Sequence, residues 1–189
     1  MSKMSRYIMF ALLYFAQGAV LSYFTSLNSL YLLSFNLDMG KIGIISSIAM
    51  IPFVIKIFLG MLSDKVNIFG WGHRKPFIII GLFLQALCLL FVPLVNPATQ
   101  YALFAALALI LMTGMAMYDT CTDGLALDSS TKEEEGTIQG FMVGGRAMGV
   151  VLISSVIGLL VERTSWSVAF YMLAVLTLAP LPLVLRVKE

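Results

Sequence analysis

The chain has 189 residues, of which 60% are hydrophobic and only 12% charged, too apolar a balance for a soluble domain of that length. A formal net charge of +2, with no Lys/Arg-rich block to neutralise several phosphates, excludes nucleic acid as a partner. The bilayer is the expected solvent.

A hydrocarbon core about 30 Å thick needs about 20 helical residues at about 1.5 Å each, and six segments meet that length. The first, residues 7–33, follows Lys3 and Arg6; it runs on past the apolar core of a signal peptide without a small-residue cleavage site, so it reads as a retained span. Gly18, Ser22, Thr25 and Ser29 recur along it at helical spacing, with Gln17 and Asn28 beside them, a stripe that fits a wet or closely packed face. Asn36, Asp38 and Gly40 mark the turn to the second span, residues 42–62, which contains Lys56. That side chain is long enough either to snorkel to the surface or to meet a partner inside. Residues 63–76 form a loop with a basic cluster, and residues 77–95 form the third span, closed by Asn96 and Pro97. The fourth, residues 101–127, holds Asp119 and Asp123. Lys132 and Glu133 to Glu135 read as a solvated loop before the fifth span, residues 137–161, which holds Arg146 and Gly140, Gly144, Gly145, Gly149 and Gly158. Two pairs of those glycines stand four apart, a spacing that suits close helix packing. The sixth span covers residues 167–185. Cys88 and Cys121 lie inside apolar runs without metal or redox spacing and read as packing residues.

Long unbroken apolar runs argue for helices rather than the short alternating segments of a membrane barrel. The fold class is therefore all-α membrane, one domain of six transmembrane helices over residues 1–189. Even span number places both termini on one side. Lys3, Arg6, Lys65, Arg74, Lys75, Lys132, Arg186 and Lys188 fall on that side, against Lys41 and Arg163 on the other, so the terminal side is expected to be cytoplasmic, in the plasma or inner membrane.

A charged group at the centre of a span costs about 2.5–3.5 kcal/mol on insertion scales and is retained where it has a partner or a wet cavity. Lys56, Asp119, Asp123 and Arg146 are the four such groups. Asp119 and Asp123 stand four apart, stacked on one helix face, where two carboxylates repel unless one is protonated or a cation is near. Spans four and five run antiparallel about the turn near residue 132, and Asp119 and Arg146 are about equally far from it, so their depths match. Two uses fit that pair: a cavity-lining pair that meets substrate or passes a proton, or a structural salt bridge between neighbouring helices. The sole histidine, His73, lies in a loop, no Gly-x-Ser-x-Gly or Walker-type loop occurs, and the two aspartates share one helix. Nothing in this pattern supplies an enzyme, an ATP-driven pump, a metal site or a cofactor site.

The stretch Gly60-Met-Leu-Ser-Asp64-Lys65, followed by Gly72-His-Arg74-Lys75-Pro76, resembles the loop signature between spans two and three of the major facilitator superfamily. Tyr14-Phe-Ala-Gln17-Gly18, Ile51-Pro52 through Lys56 to Asp64, Ile68-Phe69-Gly70, Asp119-Thr-Cys-Thr-Asp123-Gly, Glu135-Gly136 to Gln139 and Gly145-Arg146-Ala-Met-Gly149 are together similar to the folate-biopterin transporter family. Facilitators for sugars and muropeptides share part of the pattern. The resemblance implies a secondary active or facilitative transporter, a symporter in the proton-coupled case, working by alternating access. Gln17, Lys56, Asp119, Asp123 and Arg146 would lie on the substrate or proton pathway, and Gly60, Asp64, Arg74 and Lys75 would form an inner gating latch.

The resemblance also implies a small-molecule cargo, an anionic folate or pterin, whose carboxylates Lys56 and Arg146 would meet. Family members carry two six-span halves about a central site, and this chain matches the first. It is accordingly expected to be a fragment or a half-size transporter that pairs as a parallel homodimer or with a second six-span half. Sugar or muropeptide-type cargo, or a non-transporting six-span assembly protein, are the competing expectations.

Overall fold

The computed structural model describes residues 2–67, 70 and 72–187. Ile68 and Phe69 of the family pattern, and Lys188 and Glu189 at the terminus, lie outside the described residues.

Six helical stretches are long and apolar enough to cross a membrane: Lys3–Leu33, Met39–Lys65, Lys75–Leu94, Tyr101–Asp128, Lys132–Arg163 and Trp166–Leu185. The chain is an integral, multi-pass membrane protein, all-α among the described residues. Span one is α1 (Lys3–Ser22) and α2 (Asn28–Leu33), joined by a π-helical turn over Tyr23–Leu27. Ser2 caps α1 by accepting from the Ser5 N–H at 3.2 Å. The chain then turns at Asn36, whose φ of 59° is the left-handed conformation asparagine tolerates. Asp38 caps the next helix through the Lys41 N–H at 3.0 Å, and that donor holds the Asp38 carboxyl below its ordinary pKa.

Span two is not one helix. It consists of α3 (Met39–Val54) and α4 (Lys56–Lys65), separated at Ile55, whose φ of −95° and ψ of 4° leave the helical region. Pro52 lies three residues upstream, inside α3; the N–H it lacks would have met the Ile48 carbonyl one turn before it, so it weakens α3 ahead of the break and does not itself account for the break at Ile55. Lys56 is the first residue of α4.

Span three is α5 (Lys75–Phe91) with a 3₁₀ turn at Val92–Leu94, and span four is α6 (Tyr101–Asp128). Span five is α7 (Lys132–Arg163); span six is α8 (Trp166–Leu178) and α9 (Leu181–Leu185), parted near Pro180. The expectation of a solvated loop at Glu133 to Glu135 is corrected, because all three lie in the first turn of α7. Acidic groups there face the positive end of the helix dipole and favour helix over loop.

Packing is ordered by glycine. α1 lies chiefly against α7 and α5 against α6, while α3 and α4 both rest on α6, and α8 fills behind α1 and α5. A Cβ on Gly18 would overlap the Arg146 carbonyl; one on Gly145 would overlap the Ala11 carbonyl, and one on Gly149 that of Phe15. The α1 and α7 backbones thus touch, as small residues permit in a bilayer. Gly140 and Gly144, the other pair four apart, have nothing within 4 Å of a built Cβ and line an open apolar groove of about 490 Å³ with Ala11, Thr137, Phe141 and Met148. At the end of the bundle that holds Tyr31, its ring meets Phe35, Phe170 and Trp166 at 5.1–5.2 Å, and Tyr23 meets Phe170 at 4.9 Å. This aromatic knot joins spans one and six.

Candidate functional site

Lys56, Asp119 and Arg146 meet inside the bundle. Asp119 lies nine residues from the end of α6 at Asp128, about 13 Å along the axis, and is only 2% exposed. Its Oδ2 accepts from Lys56 Nζ at 3.3 Å; its Oδ1 accepts from Arg146 Nη2 at 3.2 Å and from Gln17 Nε2 at 2.6 Å. The Gln17 carbonyl completes the circuit by accepting from Arg146 Nε at 2.9 Å and Nη2 at 2.6 Å. One buried carboxylate is therefore held by an amide and two cations from three other spans, the condition under which a charge is tolerated in hydrocarbon.

The glycine contacts explain why such short reaches suffice. Gly18 and Gly145, whose sites bring α1 onto α7, are the immediate neighbours of Gln17 and Arg146. Gly60, one turn beyond Lys56, sits where a Cβ would lie 2.9 Å from the Thr120 methyl, and Thr120 follows Asp119. Lys56 does not snorkel: the break at Ile55 starts α4 at this residue, and its ammonium turns inward to Asp119.

Asp123 occupies the same face of α6 one turn nearer the Asp128 end and accepts a hydrogen bond from the Tyr14 hydroxyl. The Tyr14 ring in turn lies 4.6 Å from the Arg146 guanidinium carbon, a cation–π contact that fixes the guanidinium plane toward Gln17. Lys56 and Arg146 are each 39% exposed in their side chains, whereas Asp119 is sealed. The positive groups thus form the accessible surface of the cluster and the carboxylate forms its floor.

A second charged group lies at the loop end of α6. Arg74 pairs with Asp64 at 3.0 Å and with Asp128 at 2.5 Å, lying over Gly124, where any side chain would collide with the guanidinium. Gly72, just before it, has φ of 106°, open to glycine alone. Lys75 donates to the carbonyls of Leu185 and Val187 at 2.8 Å each, capping the end of α9. Arg6 reaches the Ser129 carbonyl at 2.6 Å and Glu134 at 2.5 Å, and Lys3 meets Glu134 at 2.6 Å. Among the described residues no group of three or more His, Cys, Asp or Glu gathers as a metal site would require.

Tyr14, Asp128 and the Arg6–Glu134 pair are the parts that sequence reasoning left unassigned. Tyr14 carried a usable signal, three residues before Gln17 on the same helix face.

The family model described as Major Facilitator Superfamily matches residues 9–189. The chain belongs to the Major Facilitator Superfamily. Within it, the chain is 28% identical over 145 residues to the folate-biopterin transporter of Synechocystis sp., covering 75% of this chain and 29% of that protein. It is 25% identical over 148 residues to the putative transporter AmpG 4 of Rickettsia conorii, covering 76% and 36%. Against the probable folate-biopterin transporter 7 of Arabidopsis thaliana it is 24% identical over 146 residues, covering 75% and 33%. The chain spans about a third of the length of these facilitator relatives.

Proposed function

We propose that this chain supplies one six-span half of a secondary transporter that moves a small anionic solute, of the folate or pterin class, by alternating access. The observation that carries the reading is the pair of half-exposed cations, Lys56 and Arg146, poised over one buried carboxylate inside the membrane span. An incoming carboxylate competes with Asp119 for the same donors, so binding exchanges one ion pair for another rather than burying a bare charge. Similarity to folate-biopterin transporters supports the cargo class. The other half of the cavity would come from a second copy of the chain or from a second six-span half, and the carboxylate pair would carry a coupling proton.

The Arg74–Asp64–Asp128 cluster has the form of an inner latch, since charged groups at the end of α4, the start of α5 and the end of α6 can part and re-form as those helix ends separate. The excess of Lys and Arg on the side of the termini supports a cytoplasmic position for both, in a plasma or inner membrane. The site holds positions for binding and charge compensation, which is transport chemistry rather than catalysis.

The test is uptake of radiolabelled folate into proteoliposomes of the full chain. Lys56→Gln and Arg146→Gln are each expected to abolish uptake while leaving membrane insertion and the size-exclusion profile unchanged. Normal uptake in both variants would sink the assignment of these two cations.

A further inference from the structure

We infer that Asp123, not Asp119, is the carboxylate that takes up the proton, and that its protonation is what leaves the site with surplus positive charge for an anionic ligand. The inference rests on the transporter reading above and adds a division of labour between two aspartates that the sequence treats alike.

Their surroundings differ in kind. Asp119 accepts from two cations and an amide N–H, so its charge is compensated where it sits. Asp123 is half-buried and receives a single neutral donor, the Tyr14 hydroxyl. The charged and titratable groups that face it are Tyr14 from α1, Lys56 from α4, Asp119 on its own helix and Arg146 from α7. Both of those cations are already bonded to Asp119, and Arg146 also to Gln17. Arg74, the remaining cation near this turn of α6, is engaged with Asp64 and Asp128.

With both aspartates ionised, two cations face two anions and the cluster is neutral. Adding one proton from water to an Asp123 oxygen leaves two cations and one anion, a single positive charge shared by the exposed heads of Lys56 and Arg146. Tyr14 can stay bonded throughout, because the unprotonated oxygen of the acid still accepts from its hydroxyl. One proton on Asp123 thus accompanies one negative charge of the ligand, a stoichiometry set by charge balance alone.

The assignment is tested by infrared titration of the full chain in detergent, following the carbonyl stretch of protonated carboxyl groups with pH. Wild type is expected to show a titrating band that Asp123→Asn removes and Asp119→Asn keeps. Tyr14→Phe, which preserves packing and deletes only the donor to ionised Asp123, is expected to move the midpoint to higher pH and covers the case in which Asp119→Asn fails to fold. A band that survives Asp123→Asn unchanged, or a midpoint that ignores Tyr14→Phe, would overturn the inference. A chain whose band titrates as expected but which takes up no folate would contradict the transport reading and leave the proton assignment standing.

Discussion

Asp119 is the residue on which the site's connectivity converges, since Gln17, Lys56 and Arg146 all bond to it. Asp119→Asn keeps the shape but removes the charge that both cations compensate. Breaking one side of a buried ion pair costs about 3–5 kcal/mol, and because Lys56 and Arg146 keep partial exposure the loss here is expected near the lower end, about 3 kcal/mol, read by unfolding in mixed detergent. Arg146→Lys is a separate test of geometry, because lysine keeps the charge but cannot span Gln17 and Asp119 with fixed, planar donors; folate uptake is expected to fall more than tenfold. The four intramembrane charges were visible in the sequence because an ionisable side chain inside an apolar run is costly enough to need a reason. Equal distance from one turn sufficed to pair Asp119 with Arg146. Tyr14 stands three residues before Gln17, a usable pointer, but a tyrosine in an apolar helix satisfies packing just as well, and only the fold shows where its hydroxyl ends. Asp128 carries no sequence signal of its own, because its pairing with Arg74 joins positions far apart in the chain.

Between helices, glycine placement decides which contacts can exist. Gly145→Ala and Gly149→Ala put a methyl into the α1 backbone and are expected to destabilise by about 1–3 kcal/mol, the usual cost of overpacking. Gly140→Ala and Gly144→Ala meet open space and are expected to stay within about 0.5 kcal/mol. Comparing the four variants by thermal denaturation separates a specific α1–α7 contact from a general need for small residues on α7. The sequence could give the spacing of four but not its facing, because both glycine pairs satisfy the same rule and lie on adjacent faces of one helix. The helical class followed directly from apolar run length. The break at Ile55 did not, since proline is tolerated within membrane helices and Pro52 frees a carbonyl in the turn before it rather than at Ile55. The polar stripe on span one proved mostly local: Ser22 and Thr25 donate to the Ala19 and Leu21 carbonyls of their own helix. From that region Gln17 reaches Asp119 and Arg146 of other spans, and Asn28 bonds Ser46 of span two at 3.3 Å.

Across the whole molecule the two ends of the bundle are held by different forces. Ion pairs join Arg74 to Asp64 and Asp128 and tie Arg6 and Lys3 to Glu134, whereas the opposite end is closed by Tyr23, Tyr31, Trp166 and Phe170. Ion pairs weaken with salt and aromatic packing does not, so high salt is expected to increase the reactivity of a cysteine introduced at Ser129 and to leave one introduced at Ser165 unchanged, measured by maleimide labelling. Spans two and five are the least buried of the six, and under the proposed transport reading the face that carries Lys56 and Arg146 meets a second half. Native mass spectrometry in nanodiscs is expected to find the chain paired. The most direct test of the central claim, that two cations over a buried carboxylate form an anion site, is equilibrium binding of radiolabelled folate to the full chain in nanodiscs, with wild type and Arg146→Gln side by side. Saturable binding to wild type that an uncharged sugar cannot displace, weakened at least tenfold in Arg146→Gln, is the predicted result; equal binding to both proteins, or displacement by the sugar, would contradict it.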